Sequence, residues 1–240
     1  MVFLTYIPLA LLVLLLRTLL RNRTYRAVPC FFAYVAFAVV ADVARFAVHN
    51  HHDTYYVAYW TTEAVYDILG ILVMYEVLRA ALGNLRHDWW ARLIFPTVLI
   101  AGIGLSLSRA HAAPPQVSGL LSYIVVGEIG VRFVQVIVFA GLVTLVPLLG
   151  LRWRQYSFGV ATGFGIYATI MLLTTTKLSD FGTRFKLLWG WTSVVAYSCA
   201  VLIWIWFFSV PEKIETPGSR LSAPSPGVLE EYKNALRRMR

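Results

Sequence analysis

Seven apolar runs follow one another along this chain with only short polar gaps: about 2–20, 28–48, 55–79, 91–108, 118–150, 156–176 and 187–210. A helix that crosses a hydrocarbon layer of ~30 Å needs roughly 20 apolar residues. Inside lipid the backbone must satisfy its own hydrogen bonds, which leaves the helix as the solution for single runs of this length. Composition agrees, with 59% of the 240 residues hydrophobic, 14% charged and a mean hydropathy of +0.68. Soluble domains are closer to half apolar and a quarter charged. The expected fold is therefore all-α, a polytopic membrane protein built as a seven-transmembrane-helix bundle.

The opening MVFLTYIPLALLVLLL lacks the basic segment and small-residue cleavage site of a secretory signal, and reads as a retained first span. The two cysteines, Cys30 and Cys199, both fall in apolar runs and imply no disulfide framework. The formal charge of +9 would suggest a nucleic-acid partner in a soluble chain. Here its distribution orients the spans instead, and no nucleic-acid partner is expected.

Basic residues cluster on one side of the expected membrane. Arg17, Arg21, Arg23 and Arg26 lie between spans one and two, and Arg79, Arg86 and Arg92 between three and four. Arg152 and Arg154 follow span five, and the tail adds Lys213, Arg220, Lys233, Arg237, Arg238 and Arg240. The other side holds Arg109, Lys177, Arg184 and Lys186. The N-terminus is expected outside, the C-terminus in the cytoplasm and the protein in the cell membrane. Tryptophans and tyrosines at span edges, such as Trp189, Trp191, Trp204 and Trp206 around span seven, read as interfacial anchors.

The organisation expected is a membrane domain over 1–210, a Pro/Ser/Gly-rich linker over 211–227 and a basic amphipathic cytoplasmic helix over 228–240. In VLEEYKNALRRMR, Leu229, Tyr232, Leu236 and Met239 share a face. Such a helix suits the anionic leaflet of the lipid bilayer or a cytoplasmic or membrane partner protein. In span six, Gly159 and Gly163 form a GxxxG pair that lets another helix approach closely, within this bundle rather than between chains. Pro147 predicts a kink near the end of span five.

Ionisable residues inside spans are costly, and each is by default a functional hypothesis with a partner to name. Asp42 and Arg45 are three apart in span two, and Glu63 and Asp67 share one face of span three. Glu128 and Arg132 are spaced i,i+4 in the order that favours an intrahelical ion pair. Counting ~1.5 Å per residue from the nearest inner arginine puts Asp67 ~18 Å and Arg132 ~30 Å deep, so Arg132 is expected at the outer rim. Glu76 and Arg79 read as an inner interfacial pair.

Four carboxylates (Asp42, Glu63, Asp67, Glu128) thus face two arginines (Arg45, Arg132) in the outer half. At reduced dielectric the excess calls for a proton, expected on Asp67, or for a small cation or cationic ligand on the outer side. Tyr59 and Tyr66, adjacent in sequence, offer hydrogen bonds and a cation–π face. These eight residues are the candidate binding site, with no catalytic residue, no metal and no cofactor assigned.

The run HNHHD at 49–53 carries four potential metal ligands, but consecutive loop residues rarely converge on one ion. No HExxH, GxSxG, Walker or GxGxxG pattern occurs. The topology resembles that of receptor-like seven-helix bundles, rhodopsins and the seven-span sensor modules of bacterial histidine kinases. The resemblance is one of topology, and no family is assigned. Span seven holds no lysine, which excludes a rhodopsin-type Schiff base there, and no histidine, which argues against seven-span zinc hydrolases. The functional expectation is a sensor or receptor-like protein that signals to a separate partner. The alternatives are a proton- or cation-coupled small transporter or channel subunit, an accessory subunit of a larger membrane complex, or, last, a lipid-modifying enzyme using acid–base carboxylates.

Overall fold

The computed structural model describes residues 2–83, 89–110, 120–148, 155–181 and 186–210. The linker and the amphipathic tail helix expected beyond residue 210 lie outside the described residues. Among the described residues every regular element is a helix, without strands. Seven α-helices run in chain order: α1 Val2–Arg21, α2 Pro29–Ala47, α3 His52–Ala81, α4 Trp89–Ala110, α5 Leu120–Leu148, α6 Gln155–Phe181 and α7 Lys186–Ser209. They coincide with the seven apolar runs to within a few residues at each end. Four of them contain segments long and apolar enough to cross a membrane: Pro29–Ala47, Gly127–Leu148, Gln155–Thr174 and Trp191–Ser209. α3 is set apart by the charges of Glu63, Asp67, Glu76 and Arg79.

Six helices close a ring in the order α1, α2, α3, α5, α6, α7 and back to α1, with α3 also touching α6 across it. α4 lies outside this ring against α5, and its Phe95 meets Tyr75 of α3 edge-on at 5.2 Å. Apolar side chains cover the outer surface as well as the inside: Val40, Ile68, Leu72, Ile100, Leu173, Leu202 and Trp206 are all exposed. A water-facing monomer rarely shows so much apolar surface. Lipid-facing helices do.

The half of the ring near the C-terminal end of α7 is packed with aromatic rings. Trp204 is fully buried and its indole meets Phe31 at 5.1 Å, Phe164 at 4.8 Å and Tyr34 at 6.3 Å, while Phe208 stacks on Phe31 at 5.4 Å. The sequence suggests Trp204 as a membrane-edge anchor. Instead it is a core residue, and Trp206, two positions on and pointing outward, is exposed. The GxxxG pair of α6 makes this possible. A Cβ on Gly159 would lie 2.5 Å from the Phe207 ring, and one on Gly163 would overlap the Trp204 indole. Here the motif serves contact between α6 and α7 within the chain. The indole Nε1 then donates to Val160 O on α6 at 3.3 Å.

Helix ends are closed by side chains from other helices. Val28, the N-cap of α2, supplies no cap, and Pro29 follows at the first turn. Glu76 of α3 fills the gap: its Oε1 accepts from Cys30 N and its Oε2 from Phe31 N, both at 3.0 Å. A carboxylate at a helix N-terminus satisfies orphan N–H groups and opposes the helix dipole. The structure gives Glu76 this role rather than an ion pair with Arg79. At the end of α7, Asn22 Nδ2 donates to Phe208 O at 2.8 Å, and Gln155 Nε2 donates to Val210 O at 3.0 Å. Between α1 and α2 a short 3₁₀ turn, Thr24–Arg26, is entered through Arg23 in the left-handed region, φ 53°. Pro147 sits one residue before Leu148, the last described residue of α5, so the kink expected there falls at the edge of the described residues.

Candidate functional site

A cavity of about 810 Å³ occupies the half of the ring opposite the aromatic core. Its lining includes Pro8 near the start of α1, His49 and Tyr55 around the α2–α3 connection, and Ser193 and Val194 near the start of α7. Those residues mark its mouth, at the end of the bundle where α1 begins. Its floor is formed by Tyr34, Gln135 and Tyr197, and Tyr34 and Tyr197 rest directly on Trp204. Small-molecule sites fill roughly 300–1,000 Å³, so the volume suits a small ligand.

Seven of the eight candidate residues line this cavity: Asp42, Arg45, Tyr59, Glu63, Tyr66, Asp67 and Arg132. Glu128 does not line it but pairs with Arg132. Three helices supply the charges. α2 contributes Asp42 and Arg45, one turn apart. α3 contributes Tyr59, Glu63 and Asp67, whose four-residue spacing puts them on one face, with Tyr66 beside them. α5 contributes Arg132.

Arg45 pairs across helices. Its Nη2 meets Glu63 Oε1 at 2.9 Å, and both side chains are nearly buried, at 16% and 14% exposure. The same guanidinium donates through Nε to Thr62 Oγ1 at 2.7 Å and through Nη2 to that hydroxyl and to Tyr59 O. It also lies over the Tyr59 ring at 4.6 Å and the Tyr66 ring at 5.5 Å. The sequence places Asp42 as the neighbour of Arg45 on α2. In the structure Arg45 makes its ion pair on α3 and not with Asp42: Glu63, a hydroxyl, a carbonyl and two aromatic faces together satisfy a guanidinium better than one carboxylate can.

Arg132 is placed deeper than the residue count predicts. Its side chain is 14% exposed and lies over the Tyr167 ring at 4.6 Å. It is an interior residue of the cavity and not a rim residue. Contacts between α3 and α5 explain the difference. A Cβ on Gly127 would lie 3.6 Å from Asp67 Oδ2, and one on Gly70 would lie 3.4 Å from Val131 and 3.3 Å from Gln135 Nε2. Arg132 is therefore level with the stretch between Asp67 and Gly70. A common baseline of arginines at the helix ends misses this register between α3 and α5.

Arg132 is weakly held. Nη2 reaches Glu128 Oε1 at 3.4 Å and Nη1 reaches Gln135 Oε1 at 3.4 Å, both at the long limit of hydrogen bonding. Its buried Nε has no hydrogen-bond partner. With Glu63 on Arg45 and Glu128 on Arg132, two carboxylates remain. Asp42 and Asp67 have no ion pair among the described residues.

The residues that sequence reasoning missed are Tyr34, Gln135, Tyr167, Tyr197 and His49. Each of the first four is a single polar group in an apolar run, and only the convergence of four helices identifies it, whereas His49 belongs to the run 49–53, which the sequence brings up for metal and not for this cavity. Tyr34 meets Tyr66 at 5.5 Å and Tyr167 meets Tyr197 at 5.6 Å, so tyrosines form a continuous wall. His49 lines the mouth and stacks on Phe46 at 5.7 Å. No group of residues placed to hold a metal ion occurs among the described residues. Comparison with protein-family models, with curated proteins and with solved structures finds no match.

Proposed function

We propose that the chain is a seven-span, receptor-like protein of the cell membrane, N-terminus outside and C-terminus cytoplasmic, whose outward cavity binds a small cationic ligand. The observation that carries this reading is the pair of unpartnered carboxylates, Asp42 and Asp67, lining a ligand-sized cavity. At reduced dielectric an uncompensated carboxylate costs several kcal/mol, on the order of the stability of a whole domain, and a bound cation removes that cost. The tyrosine wall supplies π faces for the same cation.

Orientation rests on charge. Arg17, Arg21, Arg23, Arg26 and Arg79 gather at the end of the bundle away from the cavity mouth, and the positive-inside tendency makes that end cytoplasmic. The packed aromatic floor of Phe31, Phe164, Trp204 and Phe208 favours a site that binds over one that conducts. A cation-coupled transporter would use the same carboxylates but needs that floor to part, and uptake into proteoliposomes separates the two readings. Output then passes to a partner protein through the cytoplasmic loops and the basic tail.

The test is the thermal stability of the detergent-purified protein against a panel of inorganic cations and small organic amines. Wild type is compared with Asp42→Asn and Asp67→Asn. A ligand at 100 times its Kd adds about 2.7 kcal/mol of stability. The expected result is a rise in Tm for wild type with at least one cation, and a loss of that rise in Asp67→Asn, which is itself more stable than ligand-free wild type. A flat response in all three proteins would refute the reading.

A further inference from the structure

Besides the unpartnered acceptors already described, the cavity has unpartnered donors. Gln135 is 1% exposed, and its Oε1 is turned to Arg132, so its Nε2 points elsewhere and has no partner among the described residues. Arg132 Nε is buried and likewise unpartnered. Both residues line the cavity and lie three positions apart on α5, one turn of helix. Buried donors without acceptors are rare and costly in a folded protein. Arg132 therefore has donor capacity left after Glu128 and Gln135, each held only at 3.4 Å. A guanidinium beside an amide N–H is a receptor for a carboxylate or another planar oxyanion.

Acceptors and donors are separated along the cavity. Asp67 Oδ2 lies beside Gly127, more than one helical turn towards the N-terminus of α5 from Arg132. Gln135 lies further down, at the floor beside Gly70. Asp67 thus stands above the positive and N–H groups without partners. A plain cation satisfies the first set and leaves the second unmet. We infer that the ligand is a small zwitterion of the amino-acid type, its ammonium at Asp67 and Asp42 and its carboxylate on Arg132 Nε and Gln135 Nε2.

This inference rests on the cation-binding reading, and the two fail separately in one experiment. Binding to the purified full chain is measured by isothermal calorimetry and thermal shift for the common α-amino acids and for ω-amino acids of increasing length. Each is run beside its methyl ester, which keeps only the ammonium, and its N-acetyl derivative, which keeps only the carboxylate. The expected result is that at least one free amino acid binds about tenfold or more tightly than either blocked form, the effect of losing one charge-assisted contact. Equal binding of ester and free amino acid overturns the inference while the cation site stands. Silence of every amine, zwitterion and metal cation overturns both.

Arg132→Lys supplies the second arm, since it keeps the positive charge inside the bundle but lacks the Nε donor. Its affinity for the free amino acid should fall about tenfold while that for the methyl ester is unchanged. An equal loss for both ligands would mean that the substitution disturbs packing and that Arg132 does not read the carboxylate.

Discussion

Replacing Glu76 by alanine removes both acceptors that close the N-terminus of α2. The carboxylate takes Cys30 N and Phe31 N at 3.0 Å each, and no other side chain caps this helix. A hydrogen bond to a charged partner is worth about 1.5–3 kcal/mol when removal leaves the other group unmet. Two such bonds lost would give 3 kcal/mol or more, but Glu76 is only half-buried, so water takes up part of the need. An expected loss of about 2–3 kcal/mol follows for Glu76→Ala, and about half that for Glu76→Gln, which keeps one acceptor oxygen. The assay is reversible unfolding of the purified protein in mixed micelles, followed by tryptophan fluorescence. Val28→Thr, nearly equal in size to the native side chain, offers a local cap and should return about 1 kcal/mol in the Glu76→Ala background and less in wild type. Stability of Glu76→Ala within about 0.5 kcal/mol of wild type would refute this capping role.

Two further substitutions probe the packing and the ion pair. Gly163→Ala should cost about 1–3 kcal/mol in the same unfolding assay because the added methyl meets the Trp204 indole, whereas Gly141→Ala, with nothing within 4 Å, should be neutral or stabilising. Arg45→Gln strands Glu63 and should cost about 3–5 kcal/mol, while the double change with Glu63→Gln should recover part of that loss; additive losses would mean that the pair does not couple.

The helices were legible because each fills one apolar run of about 20 residues or more, bounded by short polar gaps. Six of the seven runs could be paired into a ring only after the structure showed α4 lying outside it. The carboxylates of the cavity were legible for a related reason, since a charge in an apolar run has few bland explanations. What the chain order concealed was relative depth and facing. Residue counts place Arg132 far above Asp67, but the level of a helix is set by what it packs on, here Gly70 against Val131 and Gln135. Neighbours in sequence also misled twice, with Asp42 beside Arg45 and Glu76 beside Arg79, because the better partner sits on another helix. Trp204 looked like an edge residue for want of any sign that Gly159 and Gly163 make room for aromatic rings. Tyr34, Gln135, Tyr167 and Tyr197 carry no pattern of their own.

The proposed function requires a net-acidic cavity that opens to the outside of the membrane. Ser193, which lines it, is changed to cysteine after Cys30 and Cys199 are replaced by alanine. Intact cells are then treated with membrane-impermeant thiol reagents of matched size, one cationic and one anionic, and the two labelling rates are compared. Labelling from outside is expected, with the cationic reagent at least several-fold faster and that preference reduced by Asp67→Asn. Labelling that appears only after the cells are permeabilised, or equal rates for the two reagents, would contradict it.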